Sequence, residues 1–168
     1  MDDDFTAYSL PRGSETILVA EDNEALRALL QVALESCGYT VLASASGSEA
    51  LELASRHDEP IALLVSDVVM PGMDGPELAR RLAAIRPRLQ VLLLSGYGPE
   101  PALLAAGIHF LQKPFRPSLL VATVREILDL APATPEPGSA QETPSDEARP
   151  PGSQDSRVVE ACGYYGLG

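Results

Sequence analysis

The chain has no tryptophan among its 168 residues and only 5% aromatic side chains, so aliphatic groups must fill whatever core it builds. Cysteine is nearly as scarce. Cys37 falls in a helix-like stretch and Cys162 near the end of the chain, a pair that makes no disulfide framework. Positive charge is short as well, with 12 basic against 24 acidic residues and a formal net charge of −12. Nucleic acid and anionic membranes both require a basic footprint, so neither is an expected partner; cations and basic protein surfaces are. No apolar run approaches the ~18 residues of a membrane span. The acidic opening Met1–Phe5 lacks the basic-then-apolar order of a secretion signal. These absences lead us to expect a soluble, cytoplasmic protein. One scarcity points the other way: Lys113 is the sole lysine, all the other basic residues being arginine.

What is present is an alternation. Residues 1–14 read as a flexible polar leader. Five apolar runs follow: Ile17-Leu18-Val19-Ala20, Tyr39-Thr40-Val41-Leu42-Ala43, Ile61-Ala62-Leu63-Leu64-Val65, Val91-Leu92-Leu93-Leu94 and the weaker Ile108-His109-Phe110-Leu111. Three are apolar without a polar alternate, as strands covered on both faces of a parallel sheet should be. Between them run helical patterns. Leu26, Leu29, Leu30, Ala33, Leu34 and Cys37 recur at steps of three and four and stop at Gly38. Ala50, Leu51 and Ala54 form a second face, Leu78, Leu82 and Ile85 a third with Pro76 in its first turn, and Leu120, Val124, Ile127 and Leu128 the last. Strands alternating with helices over residues 15–130 predict a doubly wound α/β domain. Residues 131–168 are rich in Pro, Ser and Glu and read as a disordered acidic tail, because such a composition cannot bury enough apolar area to offset its ordering entropy. Within it, Val158-Val159 and Tyr164-Tyr165 offer a short docking element or, as we read them, an uncommitted end.

In an open parallel sheet, ligands bind beyond the carboxyl ends of the strands. Those ends carry Glu21 and Asp22, Ser66 and Asp67, Ser95 and Gly96, and Lys113 with Pro114. Each has an ordinary reading taken alone: the acidic pair as a helix cap, Asp67 as a turn residue, Ser95 as a small loop residue. Together they place three carboxylates, a hydroxyl and an ammonium on one edge. Close carboxylates repel unless a cation lies between them, and hard oxygen ligands suit Mg2+. A lysine and a hydroxyl are what a transferred phosphoryl group requires for charge and position.

The stretch Val19-Ala20-Glu21-Asp22-Asn23, the segment Ser66-Asp67-Val68-Val69-Met70-Pro71-Gly72-Met73-Asp74-Gly75, the pair Ser95-Gly96 and the tetrad Gln112-Lys113-Pro114-Phe115 resemble the four signature motifs of response-regulator receiver domains of two-component signalling. The resemblance covers about residues 15–130. It implies a flavodoxin-like five-stranded parallel sheet of order 2-1-3-4-5 with about five helices. It implies that Asp67 is the phosphoacceptor, supplied by a sensor or hybrid histidine kinase or a histidine phosphotransfer protein. Mg2+ would be held by Asp22 and Asp67 directly, by Glu21 partly through water, and by the Val69 carbonyl. Ser95 would bond the phosphoryl oxygen on activation, and Lys113 would pair with Asp67 or the phosphate, its bond to Pro114 being cis. Phe110 matches the switch aromatic, ordinary packing beside Leu111 being the lesser alternative. A compact ammonium at 113 fits beside carboxylate and phosphate where the broad fork of an arginine does not.

Two departures stand out. Ser95 and Lys113 are eighteen positions apart, about four fewer than the family's usual spacing and so roughly one turn of the fourth helix. Pro99 and Pro101 shorten it further, leaving Ala102 to Ala106. Val69 and Tyr97 are apolar or bulky where they bear on the rate of phosphate loss. The expectation is a stand-alone, monomeric receiver that acts as a switch or relay intermediate rather than an enzyme. A degenerate receiver kept as an interaction module, or a fragment of a hybrid histidine kinase, are the alternatives. The lead-in Pro11-Arg12-Gly13-Ser14-Glu15 resembles the junction before receivers fused to such kinases. A Mg2+-dependent phosphohydrolase would usually place a second Asp where Val69 stands. His57 and His109 lie in no phosphotransfer helix and read as surface or loop residues.

Overall fold

Each apolar run becomes a strand and each amphipathic stretch a helix. The computed structural model of the chain describes residues 10–130. In order these form β1 (Thr16–Ala20), α1 (Glu24–Glu35), β2 (Thr40–Ser44), α2 (Gly47–Arg56), β3 (Leu63–Asp67), α3 (Gly75–Ile85), β4 (Gln90–Ser95), α4 (Pro101–Ala105), β5 (His109–Gln112) and α5 (Pro117–Leu130). The expectations for most of the leader and for the acidic tail, with Cys162, Val158-Val159 and Tyr164-Tyr165, lie outside the described residues.

The five strands form one parallel sheet of order β2-β1-β3-β4-β5. Alternate residues of the central strands face opposite layers. Ile17, Val19, Leu63, Val65, Leu92 and Leu94 pack with α1 and α5 on one side. Leu18, Ala20 and Leu64 pack with α2 and α3 on the other. Both faces are covered, which is why these runs carry no polar alternate. Fully burying each such aliphatic side chain is worth about 1.5–3 kcal/mol.

The helices start where the sequence supplies a cap. Asn23, Ser46 and Asp74 each accept a backbone N–H with the side chain, from Leu26, Glu49 and Glu77 respectively, a bond worth about 1 kcal/mol per helix. α1 ends at Glu35, and Gly38 then turns the chain with φ +97°. Ahead of β1, the Gly13 N–H bonds the Cys37 carbonyl at 3.1 Å, and Glu15 pairs with Arg125 of α5 at 3.0 Å. At the opposite end of α2, the Arg86 guanidinium donates to the carbonyls of Ala54 (2.9 Å), Glu59 (2.8 Å) and His57.

Three local expectations need correction. Leu29 is 46% exposed and Ile85 48% exposed. At 3.6 residues per turn Leu29 lies well round the helix from Leu30 and Leu34, and Ile85 is the last residue of α3. The third strand runs two residues later than its apolar run, because Ser66 and Asp67 still pair with Ala20, Leu93 and Leu94. The shortened fourth helix is seen: α4 has five residues, no side-chain cap and no buried residue.

α3 begins hard against the end of β3. The Gly75 N–H bonds the Val68 carbonyl at 3.0 Å, and a Cβ at position 75 would run into the Asp67 carbonyl and press on Leu93. Gly75→Ala should therefore lower unfolding free energy by about 1–3 kcal/mol through overpacking. Urea denaturation followed by circular dichroism measures this, and an unchanged midpoint would show that α3 can step back freely.

Candidate functional site

Four strand ends place the chemistry at one edge. Glu21 and Asp22 follow β1, Asp67 is the last residue of β3, Ser95 the last of β4, and Lys113 follows β5. The register sets their depth: Asp67 pairs with Leu94, and Ser95 with Gln112. The Lys113 N–H extends the ladder to the Ser95 carbonyl at 2.8 Å, and the Lys113–Pro114 peptide is cis.

The Lys113 ammonium reaches back across the sheet edge. Its Nζ lies 2.8 Å from Asp67 Oδ2 and 3.3 Å from Glu21 Oε2. Glu21 is 1% exposed and the Lys113 side chain 24%. The second Glu21 oxygen, Oε1, accepts the Asn23 N–H at 3.1 Å, and Asp67 Oδ1 accepts the Val69 N–H at 3.3 Å. Asp22 is exposed. Burial pushes the Glu21 carboxyl above its ordinary value, against the lowering pull of the Asn23 N–H and of Lys113. Burial alone would depress Lys113, but the hydrogen bond to Asp67 and the charges of Glu21 and Asp67 outweigh it, and its pKa is raised. Lys113 is thus a fixed cation between two of the carboxylates.

One oxygen from each of Glu21, Asp22 and Asp67 lies within 4.8 Å of the others, a group that could hold a metal ion. Mg2+ bonds oxygen at about 2.0–2.1 Å, so ligands across the ion stand about 4.2 Å apart and a small contraction suffices. The donor set is all hard oxygen, as that ion requires. Glu21 is the most deeply buried of the three, whereas Asp22 is exposed and Asp67 partly so, which leaves the latter two more open to an ion from solvent.

The remaining expected site residues sit nearby in other roles. Ser95 is buried, and its Oγ accepts the Tyr97 N–H at 3.0 Å rather than touching Asp67. Phe110 is half-buried on β5, in register with Leu93. The Val69 side chain is 70% exposed, and it is the backbone N–H of this residue that meets Asp67. His109 opens a strand and His57 caps α2, neither being exposed. Two residues with no role assigned from sequence shape the acidic turn. Asn23 caps α1 while donating its N–H to Glu21, and Arg27 donates to the Glu21 and Asp22 carbonyls. The signal for both was an Asn directly after the acidic pair with an Arg four residues on, one helical turn away.

A family model described as the response regulator receiver domain matches residues 17–125. The sensor kinase CckA of Brucella abortus (strain 2308) is 43% identical over 123 residues, covering 70% of this chain and 13% of the kinase. The response regulator receiver protein CpdR of the same strain is 44% identical over 81 residues, covering 48% of this chain and 66% of that protein. The chain therefore spans less than two thirds of the length of either relative. The crystal structure of the receiver domain from the hybrid histidine kinase CckA superimposes with a TM-score of 0.60 and 37% identity, covering 67% of this chain and 98% of that one.

The raised Glu21 carboxyl has a consequence for stability. A group whose pKa is higher folded than unfolded contributes fully below its unfolded value, and that contribution is lost as pH rises through the folded value. In buffer without divalent cations, Glu21→Gln should gain on the parent as pH climbs from about 4 to about 8. Melting temperatures across that range test the sign; a parent that instead gains on Glu21→Gln as pH rises would show that the Lys113 pairing, not burial, governs Glu21.

Proposed function

The chain belongs to the response regulator receiver domain family of two-component signalling, and from that premise we propose that Asp67 accepts a phosphoryl group from a phosphohistidine in a Mg2+-dependent reaction. The donor would be a sensor or hybrid histidine kinase or a histidine phosphotransfer protein. The observation that carries the reading is the Lys113 ammonium 2.8 Å from Asp67 Oδ2, in a group where the Glu21, Asp22 and Asp67 carboxylates approach within 4.8 Å.

The chain's own groups suit that transfer. One Asp67 carboxylate oxygen attacks phosphorus; the new O–P bond forms as the donor's P–N bond breaks, and the imidazole leaves with the electron pair and takes a proton from solvent. Asp22 and Asp67, with the Val69 carbonyl, would hold Mg2+, and Glu21 would do so partly through water. The ion, when bound, supplies positive charge between the carboxylates and the incoming phosphoryl oxygens. Lys113, already fixed on Asp67, follows the charge onto the phosphoryl group. Ser95 Oγ would have to release the Tyr97 N–H to bond a phosphoryl oxygen, and Phe110 would fill the space it leaves. The protein is on this reading a signalling phosphoacceptor that assists its own phosphorylation. The 43% identity to part of a sensor kinase supports a second reading, in which the same receiver serves a kinase joined to it; the chemistry at Asp67 is shared.

Asp67→Asn should abolish Mg2+-dependent labelling by a small phosphodonor such as acetyl phosphate, and the parent's label should be released by hydroxylamine as an acyl phosphate is. Undiminished labelling of the variant would overturn the assignment.

The face formed by α4, β5 and α5 is where the family resemblance places the output of phosphorylation. Here α4 is five residues with none buried, and a stable interface requires about 1,000 Å² or more. The activated protein should therefore stay monomeric. Light scattering with Mg2+ and beryllofluoride checks this, and a dimer mass at micromolar concentration would refute it.

A further inference from the structure

The turn that carries two of the three carboxylates is only Glu21, Asp22 and Asn23, between the end of β1 and the start of α1. Two of its amide groups are anchored: the Glu21 N–H bonds the Ser44 carbonyl at 3.1 Å and the Asn23 N–H bonds Glu21 Oε1 at 3.1 Å. Its first two carbonyls belong to neither sheet nor helix. Among the described residues their hydrogen-bond partner is one side chain, Arg27, whose guanidinium nitrogen donates to the Glu21 carbonyl at 2.7 Å and the Asp22 carbonyl at 3.4 Å. Arg27 forms no ion pair among the described residues. Its half-buried side chain is given over to the turn.

Two successive carbonyls held by one nitrogen restrict the φ and ψ of the residue between them, which is Asp22. Those angles set the direction of the Asp22 Cα–Cβ bond. Asp22 itself is exposed, so little packing aims its side chain. We propose that Arg27 is a positioning residue for the cation site, aiming the Asp22 carboxylate by clamping the two carbonyls of the acidic turn. The proposal rests on the reading of Glu21, Asp22 and Asp67 as the Mg2+ site, and it adds a residue that does not touch the ion.

Two effects of Arg27 on the ion have opposite sign. A guanidinium charge close to the site repels a divalent cation, and removing it would tighten binding; this effect fades with salt, the screening length being about 8 Å at physiological ionic strength. Loss of the clamp would loosen binding at any salt. Outer residues that orient ligands are worth about 10- to 100-fold in metal affinity, so the positioning effect should dominate.

The test is calorimetric titration of the full chain with Mg2+ at low and physiological salt, for the parent, Arg27→Ala and Arg27→Lys, with circular dichroism confirming that each is folded. The expected result is a dissociation constant for Arg27→Ala raised about tenfold at both salt concentrations. Arg27→Lys, which keeps the charge and one donor, should fall between it and the parent. Asp67 labelling by acetyl phosphate should show the same shift in half-saturating Mg2+ but a near-parental rate at saturation, a split that general damage to the fold would not produce. Equal or tighter binding by Arg27→Ala overturns the proposal, as does a lowered rate at saturating Mg2+ with unchanged affinity. Should Arg27→Ala fail to fold, Arg27→Lys decides alone: parental affinity then rejects the clamp. Failure of the parent itself to bind Mg2+ would reject the underlying site reading, a distinguishable outcome.

Discussion

Everything at the functional edge depends on the crowding of negative charge around Lys113. Three carboxylates within 4.8 Å of one another are tolerable only with positive charge among them, and one ammonium meets two of the three. Glu21 is the most constrained. It is buried, donates its N–H to β2, and has each carboxylate oxygen bonded to a separate partner. Desolvation of that carboxylate is a standing cost that the apolar sheet beneath offsets, since Ile17 to Ala20 and Leu63 to Val65 are wholly shielded from solvent. The site is therefore held in a high-energy arrangement by a core that has no stake in the chemistry. On the reading proposed for this site, an incoming cation or phosphoryl group would meet ligands already gathered, leaving little reorganisation for the moment of binding.

The architecture was legible because its signals are strong and local. Short unbroken apolar runs alternating with amphipathic stretches fit strands covered on both faces, and the residues directly after them collect at one edge of any such sheet. That logic located Glu21, Asp22, Asp67, Ser95 and Lys113 before any contact between them was known. What escaped was geometry finer than the periodicity. Leu29 and Ile85 share the spacing of a core face but sit at its flank or at the helix end. Ser66 and Asp67 looked like loop because they are polar, whereas the ladder runs through them on backbone bonds that no side chain reports. Arg27 escaped for a different reason: its role is to bond carbonyls, and every residue has one.

The two ends of the sheet are tied differently. At the base, Arg86 joins three carbonyls in the end of α2 and the chain after it, and Glu15 and the Gly13 amide fasten the approach to β1. At the functional edge beyond β4, the chain from Gly96 to Ala102 is exposed throughout, and α4 contributes nothing to the core. Stability is thus unevenly distributed, with few buried contacts where a response to added charge would be expressed.

The close approach of Gly75 to the Asp67 carbonyl gives that asymmetry a mechanical meaning. The peptide behind the acidic side chain is backed by the first residue of α3, with no spare space between them, and the next carbonyl is bonded to the same glycine. A force applied at the Asp67 carboxylate therefore pushes against an anvil rather than a spring. The firmness of the wall behind that carboxylate is thus set by a residue that has no side chain of its own.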